Sequence, residues 1–337
     1  MITDINIKNY KSVVDASLPL GRFNLLIGAN GCGKSNILES IALAAAASSD
    51  KLDYEYFANR GIRIVAPRLM LPAFDGMEND TITVNIKNDN DVVFDIRYNK
   101  EAKPARWEAE QVFDKDANPD ISQFLIFSLE ESVLRKADDS NRTYPLGLHG
   151  EGLFPYLKTL AQRDDGIAIF DEIKENLKIL DWFDDMQVPS GQLSSEFNLK
   201  LKDSYLSETL NTFDQRSTNE GFLYLLFYLT LIISDEAPSF FAIENIDTAF
   251  NPKLCREVIK RLIVLARKHN KQIIATTHNA SVLDGMDLYE DDVRLHVVRR
   301  SIDGYTMTNR VVLKENMTMR LSEAWVKGII GGLPDNF

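Results

Sequence analysis

The segment from Gly28 to Ser35 constrains the fold of this chain more than any other part of the sequence, because it matches the pattern G-x-x-x-x-G-K-S/T. The apolar run from Phe23 to Ile27 precedes it directly, and a helix-like segment begins near Asn36. A strand, a glycine-rich turn and a helix in this order predict a phosphate-binding loop, since backbone N–H groups converge on a phosphate only where Cβ atoms do not intrude. A chance glycine turn is the alternative, and the flanking strand and helix weigh against it.

The residues of this loop have different expected roles at a nucleoside triphosphate. Lys34 is expected to place its charge beside the β- and γ-phosphates, and the Ser35 hydroxyl to bind Mg²⁺. Backbone N–H groups of the loop and of the following helix would surround the phosphates. The candidate nucleotide-binding residues are therefore Asn30, Gly31, Cys32, Gly33, Lys34, Ser35 and Asn36.

The composition is that of a globular protein with a sizeable core, since 45% of the 337 residues are hydrophobic. The longest apolar run, from Phe222 to Ile233, is shorter than the roughly 20 residues of a membrane-spanning helix, so we expect a buried helix and no membrane segment. No basic region followed by an apolar segment and a small-residue cleavage site occurs near Met1, so we expect no secretion, and Cys32 and Cys255 lack the spacing of a metal site. We therefore expect a cytoplasmic protein with reduced thiols.

The chain carries a formal net charge of −12, which argues against unaided, non-specific binding to DNA. This charge is segregated: the segment from Lys253 to Gln272 holds seven basic residues and one acid, whereas that from Ala161 to Glu220 holds thirteen acids and six basic residues. Both are interpreted as solvated helix faces. A local DNA or partner contact through Arg256, Lys260 and Arg267 is the alternative for the basic segment.

The first hundred residues predict a β-rich lobe. Ile5 and Ile7 alternate with polar residues, which is typical of a half-buried strand. The segments from Thr81 to Ile86 and from Val92 to Tyr98 alternate on either side of the turn-forming residues from Asn88 to Asn90, which predicts a hairpin. Between residues 121 and 213 the pattern is helical and irregular.

Regular order returns after Gly221. A buried helix is followed by the apolar strand from Phe240 to Ile243, an amphipathic helix, and the strand from Gln272 to Thr276. Apolar strands that alternate with helices predict an α/β fold with a parallel sheet covered on both sides. We therefore expect an N-terminal lobe at 1–120, a mainly helical insertion at 121–215 and a C-terminal lobe at 216–337.

Two polar residues stand where these strands end. Glu244 follows the strand that ends at Ile243, and His278 follows the strand that ends at Thr276. Parallel sheets bind ligands at the carboxyl ends of their strands, so Glu244 is the expected acidic partner of Ser35 at Mg²⁺, and His278 is expected to sense the γ-phosphate. An ordinary strand-end acid and a structural histidine are the alternatives.

Taken together, these residues resemble the ABC-type ATPase heads of the SMC, RecF and OLD-like group, often labelled AAA-family ATPases in bacterial genomes. The resemblance covers nearly the whole chain except its central third. Its elements, in chain order, are the loop from Gly28 to Asn36, the signature region from Thr218 to Gly221, the acid Glu244, the D-loop acid Asp247 and the switch histidine His278. The resemblance implies a P-loop NTPase with an ABC-type head, ATP and Mg²⁺ as cofactors, and a signature that contacts ATP through Asn219 and Gly221.

Two positions depart from the family pattern. The family places a second acid after the Mg²⁺-binding one, as general base or orienting group for the attacking water, and this sequence has Asn245 there. An amide cannot accept that proton but can orient water, so slow hydrolysis is expected from a catalytic set of Glu244, Asn245 and His278. Asn219 takes the place of the signature serine, with Ser217 nearby, and can still cap the following helix beside a phosphate.

The resemblance implies an ATPase that forms a homodimer or higher homo-oligomer with ATP held between two heads, and that gates a separate effector, such as a nuclease, in DNA maintenance or antiphage defence. The chain carries no nuclease signature, so the effector is expected to be another chain, and DNA is a candidate partner. A non-hydrolysing ATP-binding scaffold, favoured by Asn245, is the alternative. Energising of membrane transport is a third hypothesis, disfavoured by the lack of a spanning segment. Arg63 is a further candidate for contact with the γ-phosphate.

Overall fold

The computed structural model describes residues 1–77, 79–88, 91–113, 121–136, 145–188, 199–207, 212–313 and 319–333. Its strands are β1 (Asp4–Tyr10), β2 (Val13–Pro19), β3 (Phe23–Ile27), β4 (Thr81–Lys87), β5 (Asp91–Asn99), β6 (Arg106–Phe113), β7 (Ile126–Phe127), β8 (Phe183–Gln187), β9 (Lys200–Asp203), β10 (Thr212–Phe213), β11 (Phe240–Ile243), β12 (Gln272–Thr276), β13 (Val293–Arg300) and β14 (Thr306–Arg310). Its α-helices are α1 (Lys34–Ser48), α2 (Tyr54–Ala58), α3 (Pro67–Met70), α4 (Glu131–Leu134), α5 (Leu153–Leu160), α6 (Gly166–Leu177), α7 (Glu220–Ile233), α8 (Pro252–Lys268) and α9 (Leu321–Val326), and a 3-10 helix spans Ala280–Gly285. Within these described ranges, no helix is both long and apolar enough to cross a membrane.

The chain is divided between two compact units. The first unit consists of Met1–Ile126, Pro238–Asp247 and Gln272–Phe337, and the second consists of Phe127–Ala237 and Thr248–Lys271. The phosphate loop and the strand ends that carry Glu244 and His278 therefore belong to the first unit, whereas the signature region belongs to the second.

A six-stranded sheet in the order β14-β13-β3-β12-β11-β7 carries the phosphate loop. β3 lies between β12 and β13 and is parallel to both, and β11 is parallel to β12, whereas β14 pairs with β13 in antiparallel orientation. All residues of β3, β11 and β12 are buried, which accounts for their continuous apolar sequences. The predicted parallel sheet is confirmed, and its parallel order brings the carboxyl ends of these strands to one edge.

The first unit also contains a five-stranded antiparallel sheet in the order β2-β1-β4-β5-β6. Apolar residues alternate along its strands, as in β4, where Ile82, Val84 and Ile86 are buried. β4 and β5 pair as the sequence predicts, although residues 89 and 90 of the predicted turn lie outside the described residues. α1 is buried along most of its length in the same apolar core, which fixes the helix that follows the phosphate loop.

The second unit is built around α7, in which every residue after Glu220 is buried, as predicted. α6 and α8 pack against α7. A three-stranded antiparallel sheet, β10-β9-β8, lies in the segment for which the sequence predicts mainly helix. These strands are short, and an irregularity in β8 between Phe183 and Asp185 sets its buried residues Phe183 and Met186 three positions apart. The alternation by which a strand is recognised in a sequence is therefore missing.

Candidate functional site

The phosphate loop passes very close to β13 and β14. A Cβ atom on Gly28 would lie 2.0 Å from the carbonyl oxygen of Val298, so only glycine fits there. Gly33 has a φ of 111°, and a Cβ atom on it would lie 2.1 Å from the Thr306 hydroxyl. That hydroxyl donates a hydrogen bond of 2.9 Å to the carbonyl of Cys32, which holds the threonine in place. The glycines of the loop are thus required by the neighbouring strands as well as by the space that a phosphate needs.

The Lys34 ammonium group lies inside the loop that it follows. It donates hydrogen bonds to the carbonyl oxygens of Gly28 at 2.8 Å and Ala29 at 3.2 Å, and its nitrogen lies 3.8 Å from the sulfur of Cys32. Burial lowers the pKa of Lys34, and the neighbouring Cys32 sulfur and Glu244 carboxylate act in the opposite direction. Gly33 occupies the N-cap of α1 and supplies no side-chain cap, so the first N–H groups of the helix remain directed at the loop.

A polar cavity of about 380 Å³ opens above this loop. Its walls come only from the first unit, and they are formed by Asn30, Gly31, Cys32, Gly33, Lys34, Ser35, Asn36, Arg63, Glu244, Asn245, Thr276, His278 and Arg300. The structure thus brings together the seven loop candidates, the three catalytic candidates and Arg63. Asp247 belongs to the same unit but does not line the cavity.

Two threonines join the ends of β11 and β12 at the cavity. The Thr276 hydroxyl accepts a hydrogen bond of 3.0 Å from the backbone N–H of Asn245. The neighbouring hydroxyl of Thr277 donates to the carboxylate of Asp247 at 2.6 Å. Glu244 precedes these contacts and is half-buried at the cavity wall. The turn that carries the candidate acid and the candidate water-orienting amide is therefore fixed by the adjacent strand.

His278 lies beyond the end of β12 at the cavity wall. Burial lowers its pKa, the positive charge of Lys34 lowers it further, and Asp247 acts in the opposite direction. The neutral imidazole is consequently favoured near neutral pH. A neutral ring can both donate and accept a hydrogen bond, which suits contact with a phosphate or a water molecule.

Two arginines supply positive charge to the cavity. The guanidinium of Arg63 donates a hydrogen bond of 2.9 Å to Oδ1 of Asn36 and forms an ion pair with Glu39. Nε of Arg300 donates to the carbonyl oxygen of Gly31 at 2.9 Å. Sequence reasoning missed Arg300, although it ends β13, a parallel neighbour of β3, and the strand-end rule that points to Glu244 and His278 applies to it equally.

A second cavity, of about 420 Å³, adjoins the first and shares Asn36, Arg63 and Arg300 with it. Its other walls are largely apolar and come from Lys11, Ser12, Val65, Leu69, Leu71, Ala73 and Phe74. A polar compartment that opens into an apolar one suits a ligand with a charged chain and a flat, weakly polar group.

The signature candidates lie in the second unit. Asn219 is the N-cap of α7, and its Oδ1 accepts a hydrogen bond of 2.9 Å from the backbone N–H of Phe222. Gly221 is buried, and a Cβ atom on it would lie 3.1 Å from the carbonyl oxygen of Ala249. Asn219 and Gly221 line a cavity of about 340 Å³ whose walls all belong to that unit. The amide thus caps the helix, as the sequence predicts for a residue at this position.

The donor set at the phosphate cavity fits Mg²⁺ carried by a triphosphate. The Ser35 hydroxyl and the Glu244 carboxylate both line the cavity, and oxygen donors of this kind are those that Mg²⁺ prefers. No cluster of three or more His, Cys, Asp or Glu residues that could hold a metal by itself occurs in the described part of the chain. The residues therefore suit an ion that brings most of its ligands with it.

The basic segment predicted from the sequence forms α8, and two carboxylates form ion pairs with some of its cations. Arg256 and Lys260 lie 3.0 Å and 3.2 Å from Glu257, and Lys268 lies 2.8 Å from Glu172 of α6. Such pairing is typical of a solvated helix face. It favours that interpretation over a DNA contact through α8.

Comparison with known proteins gave one family and several related structures. A family model described as "AAA domain, putative AbiEii toxin, Type IV TA system" matches residues 23–284. An SMC head bound to the C-winged helix domain of ScpA is 15% identical, with a TM-score of 0.62 over 94% of this chain and 99% of that one. The SMC head domain from Thermotoga maritima is 13% identical, with a TM-score of 0.54 over 93% of this chain and 99% of that one.

An Smc head domain with an extended coiled coil, bound to the C-terminal domain of ScpA derived from Pyrococcus furiosus, is 13% identical, with a TM-score of 0.62 over 94% of this chain and 97% of that one. Identities this low establish the fold alone. The structural matches and the family model together confirm the predicted α/β P-loop fold of an SMC-like, ABC-type head. A search among curated proteins found no match.

Proposed function

Since this chain belongs to the family described as "AAA domain, putative AbiEii toxin, Type IV TA system", a family of ATPase domains, we propose that it binds Mg·ATP at the phosphate cavity, hydrolyses it slowly and closes as a dimer around it. The observation that carries the proposal is the meeting of Lys34, Ser35 and Glu244 at one cavity. Two of these residues come from the phosphate loop and the third from the end of β11, which is where a P-loop ATPase needs them.

The phosphate chain of ATP would lie along the loop. The N–H groups at the start of α1, the Lys34 ammonium and the guanidinium of Arg300 would supply its hydrogen bonds and positive charge. Arg63 would contribute at the boundary with the second cavity, because it lines both. Ser35 and Glu244 would hold Mg²⁺, which when bound neutralises phosphate charge.

The nucleoside would occupy the second cavity. Leu71 and Phe74 offer apolar surface to a purine ring, and the cavity is continuous with the phosphate site through Asn36, Arg63 and Arg300. This arrangement supports a complete nucleotide rather than inorganic phosphate as the ligand.

Slow hydrolysis follows from the residues that face the attacking water. Asn245 can hold a water molecule by hydrogen bonds but cannot accept its proton. His278 in its neutral form can contact the terminal phosphate or the water. A site without a carboxylate at the water-activating position would keep ATP bound for long periods, which suits a switch better than a motor.

Dimerisation would use the signature region. Asn219, Gly221 and the N-terminus of α7 would face the γ-phosphate bound to a second copy of the chain, with Asp247 as the D-loop acid of that interface. The likeness to SMC heads, two of which are bound to domains of ScpA, supports a protein partner for this chain as well. We infer that this partner is a separate effector, such as a nuclease acting in DNA maintenance or antiphage defence, and that ATP-dependent closure controls it.

A second candidate function is a non-hydrolysing ATP-binding scaffold, and Asn245 is the observation that favours it. The slow ATPase releases phosphate from bound ATP, whereas the scaffold does not. Phosphate release by the purified protein, alone and with DNA, should exceed that of a Lys34→Ala variant if the chain is an ATPase. ATP bound without release above that control would instead support the scaffold.

Dimerisation has its own test. Saturating ATP with Mg²⁺, but not ADP, should raise the mass measured by light scattering towards that of a dimer. An Asn219→Trp substitution at the signature, where the side chain is exposed, should abolish this rise while leaving ATP binding to the single chain intact. An unchanged mass with saturating ATP would refute the dimer, and loss of ATP binding in the wild type would refute the whole proposal.

A further inference from the structure

Glu39 is a buried carboxylate close to the proposed nucleotide site. It lies in α1, the helix that follows the phosphate loop, and its side chain is only 2% exposed. Its carboxylate forms ion pairs with Lys11 and Arg63 and accepts a hydrogen bond of 3.0 Å from the hydroxyl of Tyr10. A buried carboxylate is costly unless cations and hydrogen-bond donors surround it, so these partners are a condition for its presence.

The two cations come from different parts of the first unit. Lys11 follows β1, and Arg63 lies between α2 and α3. Lys11 lines the second cavity, and Arg63 lines both cavities. Glu39 therefore joins two cationic side chains that border the two compartments of one proposed ligand site.

Arg63 is the partner with the least other restraint. Its side chain is 62% exposed, and a long exposed arginine samples many rotamers unless it is held. Oε1 of Glu39 accepts hydrogen bonds from Nε of Arg63 and, at 3.4 Å, from the backbone N–H of Arg63. A second contact, from the terminal nitrogen of Arg63 to Asn36 at 2.9 Å, fixes the plane of the guanidinium.

We propose that Glu39 is a positioning residue for ATP, which holds the Arg63 guanidinium against Asn36 so that its charge faces the phosphate chain. The inference rests on the proposed function, because it assigns to Glu39 a role in binding the nucleotide proposed there. Glu39 itself touches no ligand. Glu39 restricts the rotamers of Arg63 before ATP arrives, so that less side-chain entropy is lost when ATP binds.

The test is a double-mutant cycle measured by calorimetric titration with Mg·ATP. Glu39→Gln keeps the shape of the side chain and removes its charge, and we expect it to weaken ATP binding by about tenfold, the scale of one charge-assisted hydrogen bond. We expect Arg63→Ala to weaken binding to a similar extent, and the double variant to be no weaker than Arg63→Ala alone. If the double variant instead loses ATP affinity by the product of the two single fold-losses, the two residues act independently, and Glu39 has a merely structural role.

A matched control is Glu172→Gln, which removes a carboxylate paired with Lys268 and His269 in the second unit. It should leave ATP affinity unchanged. If Glu39→Gln does not fold, Arg63→Lys provides the second test. This variant should fold, because the side chain at position 63 is exposed and lysine keeps a positive charge beside Glu39. A lysine lacks the planar fork needed to bond Glu39 and Asn36 together, so its affinity should fall nearly as far as with alanine.

The outcomes separate this inference from the proposed function. A wild-type protein that binds no ATP refutes the function, and the inference with it. A wild type that binds ATP, with Arg63→Lys or Arg63→Ala also at wild-type affinity, refutes the positioning role and leaves the function standing.

Discussion

The backbone N–H of Asn245 donates a hydrogen bond of 3.0 Å to the hydroxyl of Thr276, which ties the turn after β11 to the end of β12. Asn245 has a φ of 50°, a left-handed conformation that asparagine adopts more readily than most residues. The backbone at the water-activating position is therefore held by its neighbour, and the side chain can be exchanged while the turn remains anchored.

Replacing Asn245 by glutamate should raise the rate of ATP hydrolysis. A carboxylate at this position can accept the proton of the attacking water, so we expect phosphate release to increase by about 100-fold. The left-handed backbone should lower the free energy of unfolding by about 1 kcal/mol. Steady-state phosphate release and urea unfolding measure the two effects.

Asn245→Gln is the matched control for this change. Glutamine has the length of glutamate and the same backbone cost, but its amide accepts no proton. Equal rates for the two variants would show that a missing base does not limit turnover.

The sequence predicts those parts of the site that depend on local patterns. Gly28 to Ser35 form one contiguous motif, and Glu244 and His278 follow apolar strands, so neither prediction needs the pairing of distant segments. Arg300 also ends a parallel strand, but Arg294 and His296 interrupt the apolar sequence of β13, so no continuous apolar run marks this strand as part of the buried sheet. Thr306 escaped prediction because its contact with Gly33 joins residues far apart in the chain.

Phe74 should contribute to ATP binding by contacting the base and not the phosphates. It lines the apolar second cavity, so Phe74→Ala should weaken ATP binding by about tenfold through lost stacking and apolar contact. Binding of inorganic triphosphate, which has no base, should be unchanged. Ile302→Ala is a suitable control, because Ile302 is fully exposed and lines neither cavity. Equal loss of affinity for ATP and triphosphate would place the base elsewhere.

Gly33→Ala should destabilise the fold as well as abolish nucleotide binding. The new methyl group would lie 2.1 Å from the Thr306 hydroxyl, which is itself bonded to Cys32 and Ser12. We expect a loss of about 2–4 kcal/mol in the free energy of unfolding, from the positive φ and the overlap together.

Gly76→Ala separates these two causes. Gly76 has a φ of 79°, and a Cβ atom on it would meet no atom within 4 Å. Its substitution should therefore cost about 1 kcal/mol, from the backbone conformation alone. Chemical denaturation of both variants gives the comparison, and equal losses would mean that Thr306 moves aside freely.

His296 should make the stability of the protein fall in mild acid. The side chain is fully buried in β13, and neither ring nitrogen has a well-formed hydrogen bond within the described ranges. Burial lowers the pKa of His296 from 6.5 to about 4, with the Pro19 backbone opposing this effect and Arg294 adding to it. Between these two values the unfolded chain binds a proton at this residue and the folded chain does not, so the free energy of unfolding must decrease as the pH falls through that window.

His296→Leu removes this titration and fills the same space with an apolar group. The variant should be about 1 kcal/mol more stable than the wild type at neutral pH, because a buried polar ring without a well-formed hydrogen bond is replaced by an apolar side chain. Its advantage should grow as the pH falls from 6.5 towards 4, where only the wild type loses stability through this residue. Urea unfolding of both proteins at several pH values measures the difference directly. Two curves that stay parallel across this range would mean that His296 remains equally protonated in the folded and unfolded states.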